Sequence, residues 1–408
     1  MHAKRKLKLA GVYRDGLLEQ VLRFWERHAI DDESGGFLTS LDRDGTVIDT
    51  DKGVWQQARF TWLLGELYNN VGQLSDEQHV SGERREAWLN LARHGAEFMS
   101  KHCFDPSDGR MWFQVTQAGH PLRKRRYAFS ESFAAIAFGE LAKATRSDEY
   151  EQRAIETFAR YVEHNRRDLG EAKFTNVRPT RGLGFPMIMI ATAQELRESI
   201  GLADADDLID QAIKAIREFH IKEELRCVME TVGSEGQVLD HFDGRTLNPG
   251  HAIECAWFIL REAQHRQSEE LTKLGCQILD YMWERGWDPE HGGILYFVDL
   301  KNLPLQEYWH DMKFWWPQCE AIIATLWAYL LTGEERYAEW HQQIHDWTYK
   351  HFPDDEHGEW FGYLHRDGKL SSALKGGLWK GPFHIPRMQL VCWKLLENQG
   401  GQKSDHYP

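Results

Sequence analysis

Two histidines stand out for the company they keep. His251 lies in Asn248-Pro249-Gly250-His251-Ala252-Ile253-Glu254, and His384 in Gly381-Pro382-Phe383-His384-Ile385-Pro386-Arg387. Pro-Gly breaks the chain before His251, so a helix is expected to begin there. The dipole at a helix N-terminus favours a neutral imidazole, and a neutral imidazole accepts a proton. Glu254, three residues on, shares that face and is placed to fix the ring tautomer and stabilise the imidazolium. A capping histidine beside an exposed glutamate fits the same pattern. His384 is a candidate second acid/base. Its loop, Lys375 to Arg387, also offers Trp379 to stack on a polar ring and Lys380 to contact ligand hydroxyls. A lysine-rich surface loop is the alternative.

Three further segments carry candidate side chains. In Trp315-Trp316-Pro317-Gln318-Cys319-Glu320, Pro317 suits a first helical turn, which puts Glu320 in the opening turns. A tryptophan pair next to a carboxylate supplies an apolar face and a hydroxyl acceptor, although Trp315 and Trp316 could equally fill the core. In Trp55-Gln56-Gln57-Ala58-Arg59, the guanidinium sits in an aromatic helical stretch. It should pair with a carboxylate or polarise a ligand oxygen, unless it snorkels to the surface. Arg123 to Arg126 reads as a solvated basic loop, Ser130 as a helix cap, and Glu131 and Phe133 as site lining. His291 and His357 read as turn residues. No phosphate loop, dinucleotide fingerprint, nucleophile elbow or His-Glu-x-x-His is present.

The elements that must position these groups follow from periodicity. The chain has 408 residues, 42% of them hydrophobic, with 17 Trp and 20 His, which suits a globular protein with a large core. Its net charge of −14 disfavours binding to nucleic acid or to an anionic membrane surface. The basic start (Met1 to Lys8) lacks an apolar run, so no secretory signal or membrane span is expected. The six cysteines are scattered and read as free thiols of a cytoplasmic protein, with no metal site.

A turn recurs: Asp, then Gly four residues on, then an apolar residue at plus six, starting at Asp31, Asp105, Asp288 and Asp354. Weak counterparts lie near Asp168 and Glu223. The spacings of 74, 183 and 66 residues suit six repeats of two helices and a loop. Helical periodicity covers 83–100, 131–144, 148–163, 188–199, 206–219, 251–264, 269–283, 317–331 and 335–351. The expectation is an all-α fold, an (α/α)6 barrel of six helical hairpins with short β-hairpin loops, forming one domain over 1–408. A bundle or solenoid of similar hairpins is the alternative.

Read together, these motifs resemble the N-acylglucosamine 2-epimerase (renin-binding protein) family, relatives of the cellobiose 2-epimerases and sugar aldose–ketose isomerases. The likeness runs over about residues 12–395. It rests on Gly35-Gly36-Phe37, Val54 to Arg59, Phe129 to Phe133, Asn248 to His251, Trp315 to Glu320, Gly358 to Gly362 and Lys380 to His384. The resemblance implies an (α/α)6 barrel and C2 epimerisation of an open-chain sugar. It places the two acid/base histidines at His251 and His384, the site arginine at Arg59, the carboxylates at Glu254 and Glu320, and the stacking tryptophans at Trp316 and Trp379.

Cellobiose epimerases and aldose–ketose isomerases carry a further histidine where this chain reads Gly184 to Ile190, with none. That points to the N-acylglucosamine branch. The expected chemistry interconverts N-acetylglucosamine and N-acetylmannosamine, with one histidine removing the C2 proton, the other returning it, and Arg59 at the C1 oxygen. An aldose–ketose isomerase or 2-epimerase of unsubstituted sugars is one rival. A glycoside hydrolase on the same barrel, and a non-catalytic binding module, are others. No cofactor is required, and ATP as an effector is implied by the resemblance alone. The expected partners are the sugar and, in a homodimer, a second copy of the chain.

Overall fold

The computed structural model describes residues 1–74, 80–125, 127–167 and 177–398. It is mostly helical. α1 (Ala3–Asp15) runs through a π turn (Gly16–Val21) into α2 (Leu22–His28). Then come α3 (Val54–Leu74), α4 (Gly82–His102), α5 (Phe129–Thr145) and α6 (Asp148–Arg167). α7 (Gly184–Ile200), α8 (Ala205–Ala215), the short α9 (Phe242–Arg245) and α10 (Pro249–Arg266) follow. The chain ends in α11 (Glu269–Gly286), α12 (Trp315–Thr332), α13 (Glu335–His351) and α14 (His384–Asn398).

The helices alternate between two environments. α3, α5, α7, α10, α12 and α14 pack in sequence against one another, and α14 also touches α3 and α1. Each of α4, α6, α8, α11 and α13 lies against the inner helix before it. α12 is buried along Trp315 to Ala328, and α5 along Ser130 to Ala142. An outer helix such as α8 instead buries one stripe, Ala205, Leu208, Ile209, Ala212 and Ile213. That is the amphipathic pattern of a helix with one face in water. Lys394 of α14 donates to Glu66 of α3 at 3.0 Å.

The repeated Asp turns join outer helices to inner ones. In each, the aspartate carbonyl accepts the glycine N–H four residues on, at 3.0, 2.7, 2.8 and 2.9 Å from Asp31 to Asp354. The first carboxylate oxygen accepts the N–H two residues on. The glycines Gly35, Gly109, Gly292 and Gly358 have φ of 83°, 69°, 74° and 77°, a region hostile to side chains. A one-residue bridge closes each turn, as in Ile30 with Phe37.

A lysine from further along the chain then seals each aspartate: Lys52 on Asp31 (2.7 Å), Lys124 on Asp105 (2.7 Å), Lys313 on Asp288 (3.0 Å) and Lys375 on Asp354 (2.9 Å). Burial lowers the Lys313 and Lys375 ammonium groups to about 8 against the pull of their aspartates. Of the weak counterparts, Glu223 sits in the turn of the hairpin Ile221–Lys222 with Cys227–Val228. Asp168 lies outside the described residues.

Short antiparallel ladders stitch the loops at the N-terminal ends of the inner helices. Lys52–Gly53 pairs with Gln114–Val115, and Lys313–Phe314 with Tyr363–Leu364. No helix among the described residues is long and apolar enough to cross a membrane. All six cysteines are buried and free.

Two expectations need correcting here. Ser130 caps nothing: α5 starts at Phe129 after Ala128, and no side chain caps it. The basic loop is not simply solvated. Lys124 seals Asp105, and the Arg125 guanidinium lies over Phe113 and Trp379 at 4.3 and 5.2 Å. Arg126 lies outside the described residues. α3 and α14 are helices that the periodic segments read from the sequence do not include.

Candidate active site

A cavity of about 690 Å³ opens among the N-terminal ends of the six inner helices. Each contributes an opening turn: Trp55 and Arg59 from α3, Phe129 and Phe133 from α5, Gly184 and Met187 from α7, His251 and Glu254 from α10, Trp315 and Trp316 from α12, His384 and Arg387 from α14. Six positive dipole ends therefore face one space, which favours negative charge developing inside it.

His251 is set by local sequence. The Asn248 side chain accepts the His251 N–H at 3.1 Å, and Pro249 occupies the first turn, where its missing N–H costs nothing. Gly250 is needed for packing: a Cβ there would lie 2.6 Å from the Trp316 ring. Trp316 packs beside both imidazoles, its ring centre 5.1 Å from His251 and 5.8 Å from His384.

The expected partner of His251 is wrong. Its Nδ1 is 3.1 Å from both carboxylate oxygens of Glu230, and Glu254 instead accepts from Arg387 at 2.5 Å. The expectation of a dipole-neutralised ring fails with it. Burial disfavours the charged ring, but the Glu230 carboxylate overrides it and raises His251 above the usual histidine range. Glu230 was missed because it approaches through space, from the loop before strand Thr231–Gly233, with its carbonyl held by the Leu183 N–H at 2.9 Å. Its one signal is an acidic residue inside the apolar run Cys227 to Val232.

His384 has the opposite setting. Its Nδ1 lies 2.7 Å from Glu320 Oε1. Glu320 is fully buried, accepts from Trp257 Nε1 at 2.7 Å and from Arg387 Nη2 at 2.7 Å, and stands behind His384 rather than in the cavity wall. Burial, then the Arg387 and Arg59 charges, push His384 well below the usual range, so the ring is neutral. With Nδ1–H donating to Glu320, Nε2 keeps a lone pair.

Arg59 has no ion pair among the described residues. Its guanidinium lies 4.0 Å from the Phe133 ring centre, 4.5 Å from Phe383 and 5.1 Å from Trp55, and Nε has no partner. Burial and the Arg387 charge lower it to about 9. It remains cationic at neutral pH, with donor capacity unused.

Glu254, Glu320 and His384 have ligand atoms within 4.8 Å of one another, a spacing that suits a metal ion. Arg387 Nη2 already occupies that position, at 2.5 and 2.7 Å from the carboxylates and 3.3 Å from Nδ1. A second trio, Glu66, Glu140 and Glu195, is engaged by Lys394, Asn69 and Trp62.

Two further site expectations fail. Lys380 is 1% exposed, donating to Glu359 Oε1 at 2.9 Å and to the Lys375 carbonyl at 2.6 Å, away from the cavity. Glu131 is equally buried and accepts the Met111 N–H at 2.9 Å, tying α5 to the Asp105 turn. Trp55, Trp316 and Trp379 do line the cavity, and Trp379 is 47% exposed at its mouth.

Two imidazoles, each backed by its own carboxylate and sharing one aromatic-walled cavity, are the equipment of a proton-transfer enzyme. Comparison sharpens the class. The chain belongs to the N-acylglucosamine 2-epimerase (GlcNAc 2-epimerase) family, whose model matches residues 35–385. It is 36% identical to the N-acylglucosamine 2-epimerase of Bos taurus over 396 residues, covering 93% of this chain and 90% of that one. Identity to the Homo sapiens N-acylglucosamine 2-epimerase is 34% over 391 residues, covering 93% and 88%. The fold matches the cellobiose 2-epimerase of Spirochaeta thermophila with a TM-score of 0.81 at 19% identity, covering 98% and 99% of the two chains.

Proposed function

We propose that this protein interconverts N-acetylglucosamine and N-acetylmannosamine by moving the C2 proton of the open-chain sugar. This reading is carried by His251 and His384 lining one cavity, their rings 5.1 and 5.8 Å from the same Trp316 ring. The neutral His384, its Nδ1–H held by Glu320, takes the C2 proton on Nε2. The protonated His251, stabilised by Glu230, delivers a proton to the other face. The reverse reaction exchanges the two roles. Negative charge forming on the C1 oxygen meets the Arg59 guanidinium and the positive ends of six helices. The reaction changes no oxidation state, so proton carriers and an electrophile suffice.

The helices are read as a closed (α/α)6 barrel forming one domain over 1–408. The α14–α3 contact and the Lys394–Glu66 ion pair support closure. A hydrolase reading is disfavoured by the carboxylates. Glu254 and Glu320 bind the same Arg387 nitrogen, whereas glycoside cleavage needs two carboxyl groups separated across the bond.

The test is proton NMR in D2O with N-acetylmannosamine, mannose and cellobiose. The expected result is N-acetylglucosamine carrying deuterium at C2. A ketose from mannose with inert N-acetyl sugars contradicts the proposal and assigns an aldose–ketose isomerase.

A further inference from the structure

The carboxylate behind His251 stands on a loop, whereas the one behind His384 stands on a helix. Glu230 lies between Cys227–Val228 and the strand Thr231–Gly233. Glu320 belongs to α12. Loop backbone is ordinarily mobile, so Glu230 keeps its place only if its own peptide is held.

Two elements hold it. On one side, the strand Thr180–Gly182 pairs with Thr231–Gly233, and the Leu183 N–H reaches the Glu230 carbonyl at 2.9 Å. On the other side stands His220, the last residue of the π turn (Ile216–His220) that follows α8. The hairpin of Ile221–Lys222 with Cys227–Val228 puts His220 opposite Met229. The Met229 N–H donates to the His220 carbonyl at 2.9 Å, and His220 Nδ1 lies 2.8 Å from the Met229 carbonyl oxygen. A carbonyl cannot donate, so Nδ1 carries the hydrogen. One residue thus binds both polar groups of the residue before Glu230. His220 is buried, and burial lowers its basicity, so the ring makes this bond uncharged at neutral pH.

Resting on the epimerase reading above, we infer that His220 is a positioning residue for His251: it fixes the Met229 peptide and, through it, the Glu230 carboxylate at His251 Nδ1. Of the carboxylates facing His251, Glu230 acts most strongly, ahead of Glu254 and Glu320, which share Arg387. Glu230 is also faced by Tyr296 and Cys255, and His220 by Lys222 and Arg181. The Val228 N–H is held separately by Met282 Sδ at 3.3 Å, so the hairpin keeps an anchor when the His220 ring is removed.

The test is the imidazole titration of His251, followed by NMR on the full chain with ring-labelled histidine and assigned by its loss in His251→Asn. Beside it runs the pH profile of kcat for N-acetylmannosamine. In His220→Leu the His251 midpoint is expected to fall by about 1 pH unit, and the basic limb of kcat to move down with it. KM should change less than kcat. His220→Asn keeps an N–H near the Nδ1 position and is expected to restore both readings. Adding His220→Leu to Glu230→Gln should shift neither further, because the effect passes through that carboxylate. His220→Gln, whose amide lies further from the ring's Nδ1 position, decides the matter if His220→Leu does not fold. A midpoint and limb unmoved in the folded variants, or an undiminished shift on top of Glu230→Gln, overturns the inference and leaves the epimerase reading standing. Wild type inert to N-acetylmannosamine, with a His251 midpoint that still falls in His220→Leu, overturns the epimerase reading and leaves the placement of Glu230 by His220 supported.

Discussion

The two imidazoles of the cavity sit in opposite electrostatic settings. His251 is about one-third exposed and faces a carboxylate, Glu230, that is itself partly exposed. That pair favours the imidazolium. His384 lies deeper, against a carboxylate that Arg387 and Trp257 already hold. There burial, and after it the Arg387 charge, favours the neutral ring. Under the proposed mechanism, two residues of one type thus serve as an acid and a base, because their surroundings differ. A proton carrier on each face of a carbon needs this split to start a turnover without rearranging charge first.

The largest effect should come from removing either ring. His384→Asn and His251→Asn are each expected to lower kcat by about 10²- to 10⁴-fold, measured as epimer formation by NMR. Equal loss with unequal residual proton exchange would sharpen the contrast; full activity in either variant would break it. Arg59→Met should cost about 10²- to 10³-fold in kcat, as for loss of an oxyanion donor. A rise in KM with kcat intact would instead make Arg59 a binding residue.

Glu230→Gln tests the contrast through pH. Glu230 raises His251, so the protonated acid is available below that raised value and is lost as pH climbs through it. Removing the carboxylate should move the basic limb of the kcat profile to lower pH. An unmoved limb would mean that Glu230 does not hold the proton.

The smallest effect on chemistry is expected at Lys380. Lys380→Met leaves Glu359 buried and unpaired, so it should destabilise the fold by about 3–5 kcal/mol, read by denaturant unfolding. KM should stay unchanged, because Lys380 lies outside the cavity.

The turns were legible in sequence because their chemistry is local: an aspartate and a glycine four residues apart close one loop. Their lysines were not. Lys52, Lys313 and Lys375 arrive from further along the chain, and a lysine is ordinarily expected at the surface. Lys380 was expected at the ligand, in a loop that also read as a lysine-rich surface loop. Outer helices such as α8 announced themselves by one wet face. At the site, His251, His384 and Arg59 stood in recognisable local motifs. Glu230 did not, since its link to His251 spans 21 residues and depends on a strand held against Leu183. Glu254 was assigned to His251 because helical spacing ignores Arg387, which comes from the far end of the chain and takes that carboxylate.

The division of labour between the rings is tested most directly by single-variant exchange in D2O. His251→Asn keeps the neutral base His384, so it should wash deuterium into C2 of one N-acetylhexosamine epimer without forming the other. His384→Asn should not exchange that epimer. Equal exchange of both epimers by His251→Asn, or undiminished epimerisation by either variant, would contradict the account.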